Sequence, residues 1–136
     1  MSEHRADVTA IINHFQGQQQ DPHYLAYFEC FNRGLYFEAH EVLEAIWLPQ
    51  RGQPNGLFYQ GLIQLAGAFV HLQKQRLCPA AALFKLAQKN LSQYPASHEQ
   101  LDIRELLARI EQWLRQLEEG KTPLSSLPSI SLHSVY

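Results

Sequence analysis

The sequence predicts an all-α protein, a multihelical bundle of five to six helices around a central apolar helix. Apolar residues recur at intervals of three and four along most of the 136 residues, which is the period of an amphipathic helix. Stretches that alternate apolar and polar residues, as strands do, are nearly missing from the sequence. Proline and glycine stand between the periodic segments, where they favour turns and helix ends.

The first two helices are predicted near the start of the chain. An amphipathic segment at residues 7–15 is followed by a polar, glutamine-rich break. Asp21 and Pro22 then predict the start of the second helix, with Asp as the N-cap and Pro in the first turn. This helix is expected to end near Asn32, and Gly34 is suited to the C-terminal cap.

The next two helices contain the polar residues of most interest. The third is predicted over residues 36–48, because Pro49 and the glycines and proline of residues 52–56 indicate a loop. The fourth, residues 57–75, is the most apolar segment of the chain. Two helices joined by a loop of about eight residues are expected to pack side by side and antiparallel.

The last two helices are bounded by proline and glycine. Pro79 opens a fifth helix over residues 80–94, and Pro95 closes it. A more charged sixth helix is predicted over residues 99–119, with Gly120 as its stop. The helical period ends there.

Composition and charge restrict the classes of function. The chain is predicted to form a single domain over residues 1–120, followed by an irregular tail, residues 121–136, that lies extended across the bundle or is partly mobile. With a net charge of −2 and scattered basic residues, no nucleic-acid surface is expected. Neither a signal peptide nor a membrane span is predicted. Cys30 and Cys78 lack CxxC spacing, which indicates reduced thiols in the cytoplasm.

Three ionisable residues crowd the otherwise apolar third helix. At about 100° per residue, His40, Glu44 and Trp47 share one stripe within about 60°. Glu41 flanks this stripe, and Glu38 is expected to point away toward solvent. A buried carboxylate must be paired, protonated or bound to a metal, so this helix is the place to look for chemistry.

The fourth helix carries a second polar stripe. Gln60, Gln64 and His71 are spaced by four and seven, and Gly67 falls between them on the same side. Glycine costs a helix roughly 1 kcal/mol relative to alanine, which suggests close approach by another helix or a ligand. The polar side chains of this stripe must find their hydrogen-bond partners inside the protein. Their expected partners are His40, Glu41 and Glu44.

These two stripes together predict an interior polar pocket, for which three interpretations stay open. Two imidazoles and one or two carboxylates suit a divalent Zn, Fe, Mn or Ni ion, or a small polar ligand with a histidine tuned for proton transfer. The same residues also suit a hydrogen-bond network that fixes helix register. In the third interpretation they are partly exposed and have no joint role.

The third helix and its approach contain a recognisable motif. Residues 31–47 resemble the signature of a bacterial and archaeal family, domain of unknown function 309, which reads roughly N-x-G-x-[YF]-x-E-A-H-E-x-x-E-x-x-W. A second block, residues 60–66 with His71, and an alanine-rich third block, residues 80–86, are also similar to the family. Pro79 departs from the family pattern, which has a glycine-alanine pair near this point. The resemblance covers roughly residues 24–94 and implies a helical bundle labelled a predicted metal-dependent hydrolase.

The functional hypothesis is a cytoplasmic protein with an interior His/Glu/Gln pocket for a divalent metal or an unknown small molecule, with hydrolase activity. The predicted metal ligands are His40, Glu44 and His71. The catalytic base is Glu41, and the ligand-binding residues are Gln60, Gln64, Tyr36 and Trp47. The alternative hypothesis is a non-enzymatic scaffold or protein-interaction module, in which the cluster is structural and the aromatic second helix or the tail carries the function. Part of the aromatic set at residues 24–37 suits a homodimer face. Neither hypothesis includes nucleic-acid or membrane partners.

Overall fold

The structure is a computed structural model, which describes residues 5–123 and 127–133. Over these residues the chain forms six α-helices and one two-stranded hairpin, so the predicted all-α multihelical class is confirmed. In chain order the elements are α1 (Arg5–His14), α2 (Pro22–Asn32), α3 (Tyr36–Gln50), α4 (Gly56–Gln73), α5 (Leu77–Leu91), β1 (Ser97–His98), β2 (Leu101–Asp102) and α6 (Ile103–Glu118).

The caps of α2 form as the sequence predicts. The Asp21 carboxylate accepts a hydrogen bond from the backbone N–H of His23 at 2.7 Å, which satisfies a donor that the first turn leaves unpaired. At the other end Gly34 has a φ of +78°, and the N–H of Leu35 donates to the carbonyl of Cys30 at 2.9 Å. This six-to-one bond with a left-handed glycine is a Schellman ending, and it turns the chain back so that α3 packs on α2.

The α3–α4 connection differs from the prediction. Helix α3 continues through Pro49 to Gln50. A proline in the last turn removes a single intrahelical bond, which is a smaller loss than in a helix middle. Helix α4 then begins at Gly56, where an added Cβ would lie 2.6 Å from the carbonyl oxygen of Gln50. The turn is therefore tight enough to require glycine at this position.

The end of α5 and the start of α6 also differ from the prediction. Residues 97–102 form the β1–β2 hairpin instead of the first turns of a helix. Its two central residues, Glu99 and Gln100, have φ values of +51° and +63°, as a tight two-residue hairpin turn requires. Asp102 caps α6 by accepting a hydrogen bond from the N–H of Glu105 at 2.9 Å.

The core lies around α4, which packs against both α3 and α5. The Phe69 ring on α4 has its centroid 5.0 Å from that of Tyr36 and 5.3 Å from those of Phe31 and Phe84. The indole of Trp113 on α6 meets the same ring edge-on at 5.0 Å. This aromatic centre joins five helices. Among the described residues, no helix is long and apolar enough to cross a membrane.

Candidate functional site

The side chains of His40 and Glu44 lie in contact one turn apart on α3. The His40 Nε2 atom lies 3.3 Å from Glu44 Oε2, and the two side chains are 31% and 41% exposed. The imidazole also stacks on the exposed ring of Phe37, with the centroids 6.0 Å apart and the planes at 28°. The pair therefore lies at the edge of the bundle, where solvent or a ligand can reach it. Glu41, the predicted base, is exposed on the adjacent face.

Glu38 contradicts the prediction that it points to solvent. It is 6% exposed and is the buried charged side chain of the described core. The short Arg33–Leu35 turn folds α2 back over the first turn of α3, where Glu38 lies, and the helix dipole favours a carboxylate at that end. Burial first, and the Glu38 charge second, raise the pKa of Cys30 to about 12, so this thiol stays protonated.

Two predicted ligand-binding residues meet across the α3–α4 loop. Trp47 of α3 and Gln60 of α4 line an open groove of about 480 Å³, together with Leu57. The guanidinium carbon of Arg51 lies 5.5 Å from the centre of the Trp47 ring, a cation–π distance. The structure thus brings one member of each predicted stripe together at this end of the helix pair.

The middle of the α4 stripe faces α5, which corrects the predicted partners. The Gln64 Oε1 atom accepts a hydrogen bond from Asn90 Nδ2 of α5 at 2.8 Å. An added Cβ at Gly67 would lie 3.2 Å from the Leu83 methyl carbon of the same helix. The prediction of close approach at Gly67 is therefore correct, but the neighbour is α5. The amide of Gln64 is satisfied there and not by the His40, Glu41 or Glu44 side chains.

Unpaired polar atoms lie on the two helices of the signature. Tyr36 Oη, His40 Nδ1 and His71 Nδ1 are buried and have no hydrogen-bond partner in the described part of the chain. A further atom of this kind, Gln116 Oε1, lies on α6. Burial also raises the pKa of Tyr36 to about 12, so its hydroxyl remains a donor at neutral pH. Unpaired buried groups of this kind require an explanation, such as a bound ligand.

One segment of the chain matches a known family model. Residues 24–83, which begin within α2, include all of α3 and α4 and end within α5, match the model described as Domain of unknown function (DUF309). The chain is similar to this family over that segment, which also carries the unpaired atoms of Tyr36, His40 and His71.

One curated relative of this chain is an uncharacterized protein from Aquifex aeolicus (strain VF5). The two chains are 27% identical over 94 residues. The match covers 69% of this chain and 28% of the relative, so the shared part is under a third of the length of that protein. The comparison with solved structures gives no significant match.

The metal site implied by the family resemblance needs three protein donors that converge. Among the described residues of this protein, no three His, Cys, Asp or Glu side chains form such a group. His40 and Glu44 supply two donors, and His71 is half-buried on α4. The side-chain arrangement therefore does not fit a resident metal, and the metal set of His40, Glu44 and His71 stays a prediction.

A second polar cluster, at the N-terminal end of α4, was missed by sequence reasoning. His98 Nε2 lies 2.8 Å from Asn55 Oδ1, and its ring packs against Phe58 and Tyr94 with centroids 4.8 Å away. The Tyr94 hydroxyl accepts from the N–H of Phe58 at 2.8 Å and donates to the carbonyl of Pro54 at 2.7 Å. Tyr94 therefore caps α4 in place of Asn55. His98 is half-buried in this cluster.

Proposed function

We propose that this protein binds a small polar ligand on the signature helices α3 and α4, beside the His40–Glu44 pair. The observation that carries this proposal is the set of buried atoms without partners on these two helices: Tyr36 Oη, His40 Nδ1 and His71 Nδ1. A protein gives up stability when it buries a polar group unpaired, by about 1–3 kcal/mol for each group. A bound molecule that accepts from Tyr36 and pairs with the imidazoles would recover that loss.

The chemistry of these groups indicates the class of ligand. The phenol can donate or accept, each neutral imidazole offers one donor and one acceptor, and the Glu44 carboxylate accepts. A neutral molecule with both donors and acceptors, such as an amide or a hydroxy compound, matches this set. Trp47 and Gln60, which line the neighbouring groove, extend the same surface with an aromatic face and an amide. In this proposal Gln64 acts only through Asn90, since its amide is already bonded there.

Hydrolysis and metal binding are finer versions of this proposal. In the hydrolase version Glu41, which is exposed beside the pair, takes a proton from water, and His40, Glu44 and His71 hold a divalent ion. No catalytic step is derived through that ion, because its three donors do not form a group. Metal analysis of untagged protein for Zn, Fe, Mn and Ni tests this version, and metal well below one equivalent would overturn it.

A second candidate function is favoured by a different observation. Phe37 and Leu48 on α3 and Leu57 on α4 are exposed to 46%, 54% and 43%. Large apolar side chains that stay exposed are a feature of protein-interaction surfaces. In this version the protein is a scaffold or homodimer, and His40 and Glu44 form a structural pair. The free thiols Cys30 and Cys78 are in keeping with a reducing cytoplasm in either version.

A matched pair of substitutions separates the two candidates without knowledge of the ligand. Tyr36→Phe removes a hydroxyl that is buried and unpaired. In a ligand site this change raises the free energy of unfolding of the free protein, by about 1 kcal/mol, because an uncompensated polar group is lost. Tyr27→Phe is the control, since the Tyr27 hydroxyl is buried and donates to the carbonyl of Leu62 at 2.6 Å. Its loss lowers the free energy of unfolding by about 1 kcal/mol.

Urea unfolding of the three proteins gives the result. If Tyr36→Phe destabilises the protein as much as Tyr27→Phe does, the Tyr36 hydroxyl belongs to a satisfied structural network. The ligand proposal then fails, and the scaffold candidate is preferred.

A further inference from the structure

Residues 127–133 lie extended on the surface between the end of α2 and the start of α6. Burial alternates along this segment: Pro128 and Ile130 are buried, whereas Ser129 and Ser131 are exposed. A period of two is the burial pattern of a strand on a protein surface. The segment is thus seated in a groove, although its hydrogen-bond partners come mainly from side chains.

Asn32, the last residue of α2, pairs with the main chain of Ile130 at two points. Its Oδ1 atom accepts from the Ile130 N–H at 2.7 Å, and its Nδ2 atom donates to the Ile130 carbonyl at 2.9 Å. In an antiparallel sheet, a hydrogen-bonded residue pair exchanges this same pair of bonds. The carboxamide of Asn32 therefore takes the place of one residue of a neighbouring strand.

Two more contacts also reach the main chain of the segment. Arg109 Nη1 on α6 donates to the carbonyl of Ser129 at 2.7 Å. The N–H of His133 donates to the carbonyl of Gln100 in the hairpin at 2.9 Å. Main-chain contacts are indifferent to side-chain identity, as in domains whose sheet is extended by one strand when a peptide binds at its edge. Ile130 is 4% exposed, so its side chain fills a buried site. The selectivity of the groove for a peptide sequence then depends on the fit of a side chain in this site.

We propose that this surface is a peptide-binding groove, and that residues 127–133 are its built-in and exchangeable occupant. The partner that it fits is an extended peptide segment with a branched aliphatic residue between small polar residues, as in Ser129-Ile130-Ser131. Open space of about 160 Å³ and about 480 Å³ lies along the segment, which leaves room for larger side chains at the exposed positions. Because the occupant is covalently attached, it competes at a high effective concentration and keeps the groove closed to weak ligands.

The test uses the full-length chain with Ile130→Asp, which removes the buried side chain of the occupant. The probe is a fluorescent synthetic peptide with the sequence of residues 127–133, and the readout is fluorescence anisotropy. We expect saturable binding to the I130D protein and at least tenfold weaker binding to the wild-type protein. Adding Asn32→Ala to I130D weakens binding at least tenfold. Adding Asn13→Ala, a change at an exposed asparagine of α1, leaves binding unchanged.

A second probe examines the main-chain contact itself. The same peptide with a methyl group on the Ile130 backbone nitrogen lacks the donor that Asn32 accepts, and we expect it to bind at least tenfold more weakly. No saturable binding to a folded I130D protein, or equal binding with and without Asn32, would overturn the proposal. If I130D does not fold, the test is instead the hydrogen-exchange rate of the Ile130 amide in the wild-type protein, measured with and without the peptide. Excess peptide accelerates this exchange severalfold if the occupant is exchangeable, and an unchanged rate overturns the proposal. The His40–Glu44 surface is not involved in any of these outcomes.

Discussion

Gly61 and Gly67 give a sharp test of the packing between α4 and α5. Both lie in the same helix, and both are changed to alanine, so each variant gains the same helix propensity of about 1 kcal/mol. The two variants should differ in stability because the added methyl group meets a different α5 side chain in each. A Cβ at position 61 would lie 2.9 Å from Leu91 Cγ and 3.1 Å from Leu91 Cδ2, whereas one at position 67 would lie 3.2 Å from the Leu83 Cδ1 atom.

The two neighbours differ in their freedom to move. Leu91 is fully buried, and its Cγ atom is a branch carbon that cannot yield without moving the whole side chain. Overpacking of such a site costs about 1–3 kcal/mol, so Gly61→Ala should lower the free energy of unfolding by about 0–2 kcal/mol after the propensity gain of about 1 kcal/mol. At Leu83, a half-buried residue, a single terminal methyl can rotate away. Gly67→Ala should therefore raise the free energy of unfolding by about 0.5–1 kcal/mol.

Urea denaturation at constant m-value measures both changes, and circular dichroism confirms that the helices are intact. The difference between the two variants should be about 2 kcal/mol in favour of Gly67→Ala, by the overpacking and propensity ranges above. Equal stability of the two variants, or a more stable Gly61→Ala protein, would contradict the close contact of α4 with Leu91.

Two further predictions concern ionisable groups in the core. Burial raises the pKa of Tyr24, Tyr27 and Tyr36 above the ordinary value, so the folded state keeps protons that the unfolded chain releases above pH 10. The stability that these tyrosines contribute is fully present below pH 10 and is lost above it, by about 1 kcal/mol for each tyrosine at pH 11. The raised pKa of Cys30 adds a loss of about 2–3 kcal/mol between pH 8 and pH 11, so urea unfolding at these two pH values should differ by about 6 kcal/mol. A difference below about 1 kcal/mol would refute this account of the core. Cys78 is exposed and Cys30 is buried, so a thiol reagent should modify one cysteine rapidly in the folded protein and both in urea. Rapid modification of both thiols without urea would show that the α2–α3 contact opens.

Most helices of this protein are predictable because the signals that start and stop them are local. Asp21 and Gly34 bound α2 as their side-chain chemistry dictates, and both caps form. Where the prediction was wrong, a longer-range contact decides the outcome. Glu99 and Gln100 adopt left-handed conformations in a hairpin whose end is held by the Tyr24 hydroxyl, which donates to the Glu99 carbonyl at 2.8 Å. Tyr24 is 75 residues away in the sequence, so no local pattern signals this turn.

In the candidate site, as in the fold, the contacts within one helix were predictable and the contacts between helices were not. The i,i+4 spacing of His40 and Glu44 suffices to pair them, because residues four apart share a helix face. The partner of Gln64 is not fixed in this way. The helical wheel shows that Gln64 lies on a polar stripe, but the wheel carries no information on which neighbouring helix covers the stripe. Asn90 of α5 bonds to Gln64. The wheel likewise does not show that another helix covers Glu38, which is why Glu38 was expected at the surface.

The sequence by itself determined the all-helical class, most helix boundaries, the DUF309 signature and the His40–Glu44 pair, because each depends on residues within one or two turns of each other. Only the tertiary structure decided that the middle of the α4 stripe, at Gln64 and Gly67, faces α5, that Glu38 is buried beneath α2, and that Asn32 holds Ile130. These contacts join residues that are distant in the chain. Their partners are selected by the packing of whole helices, which maximises buried area and satisfies polar groups over the entire bundle.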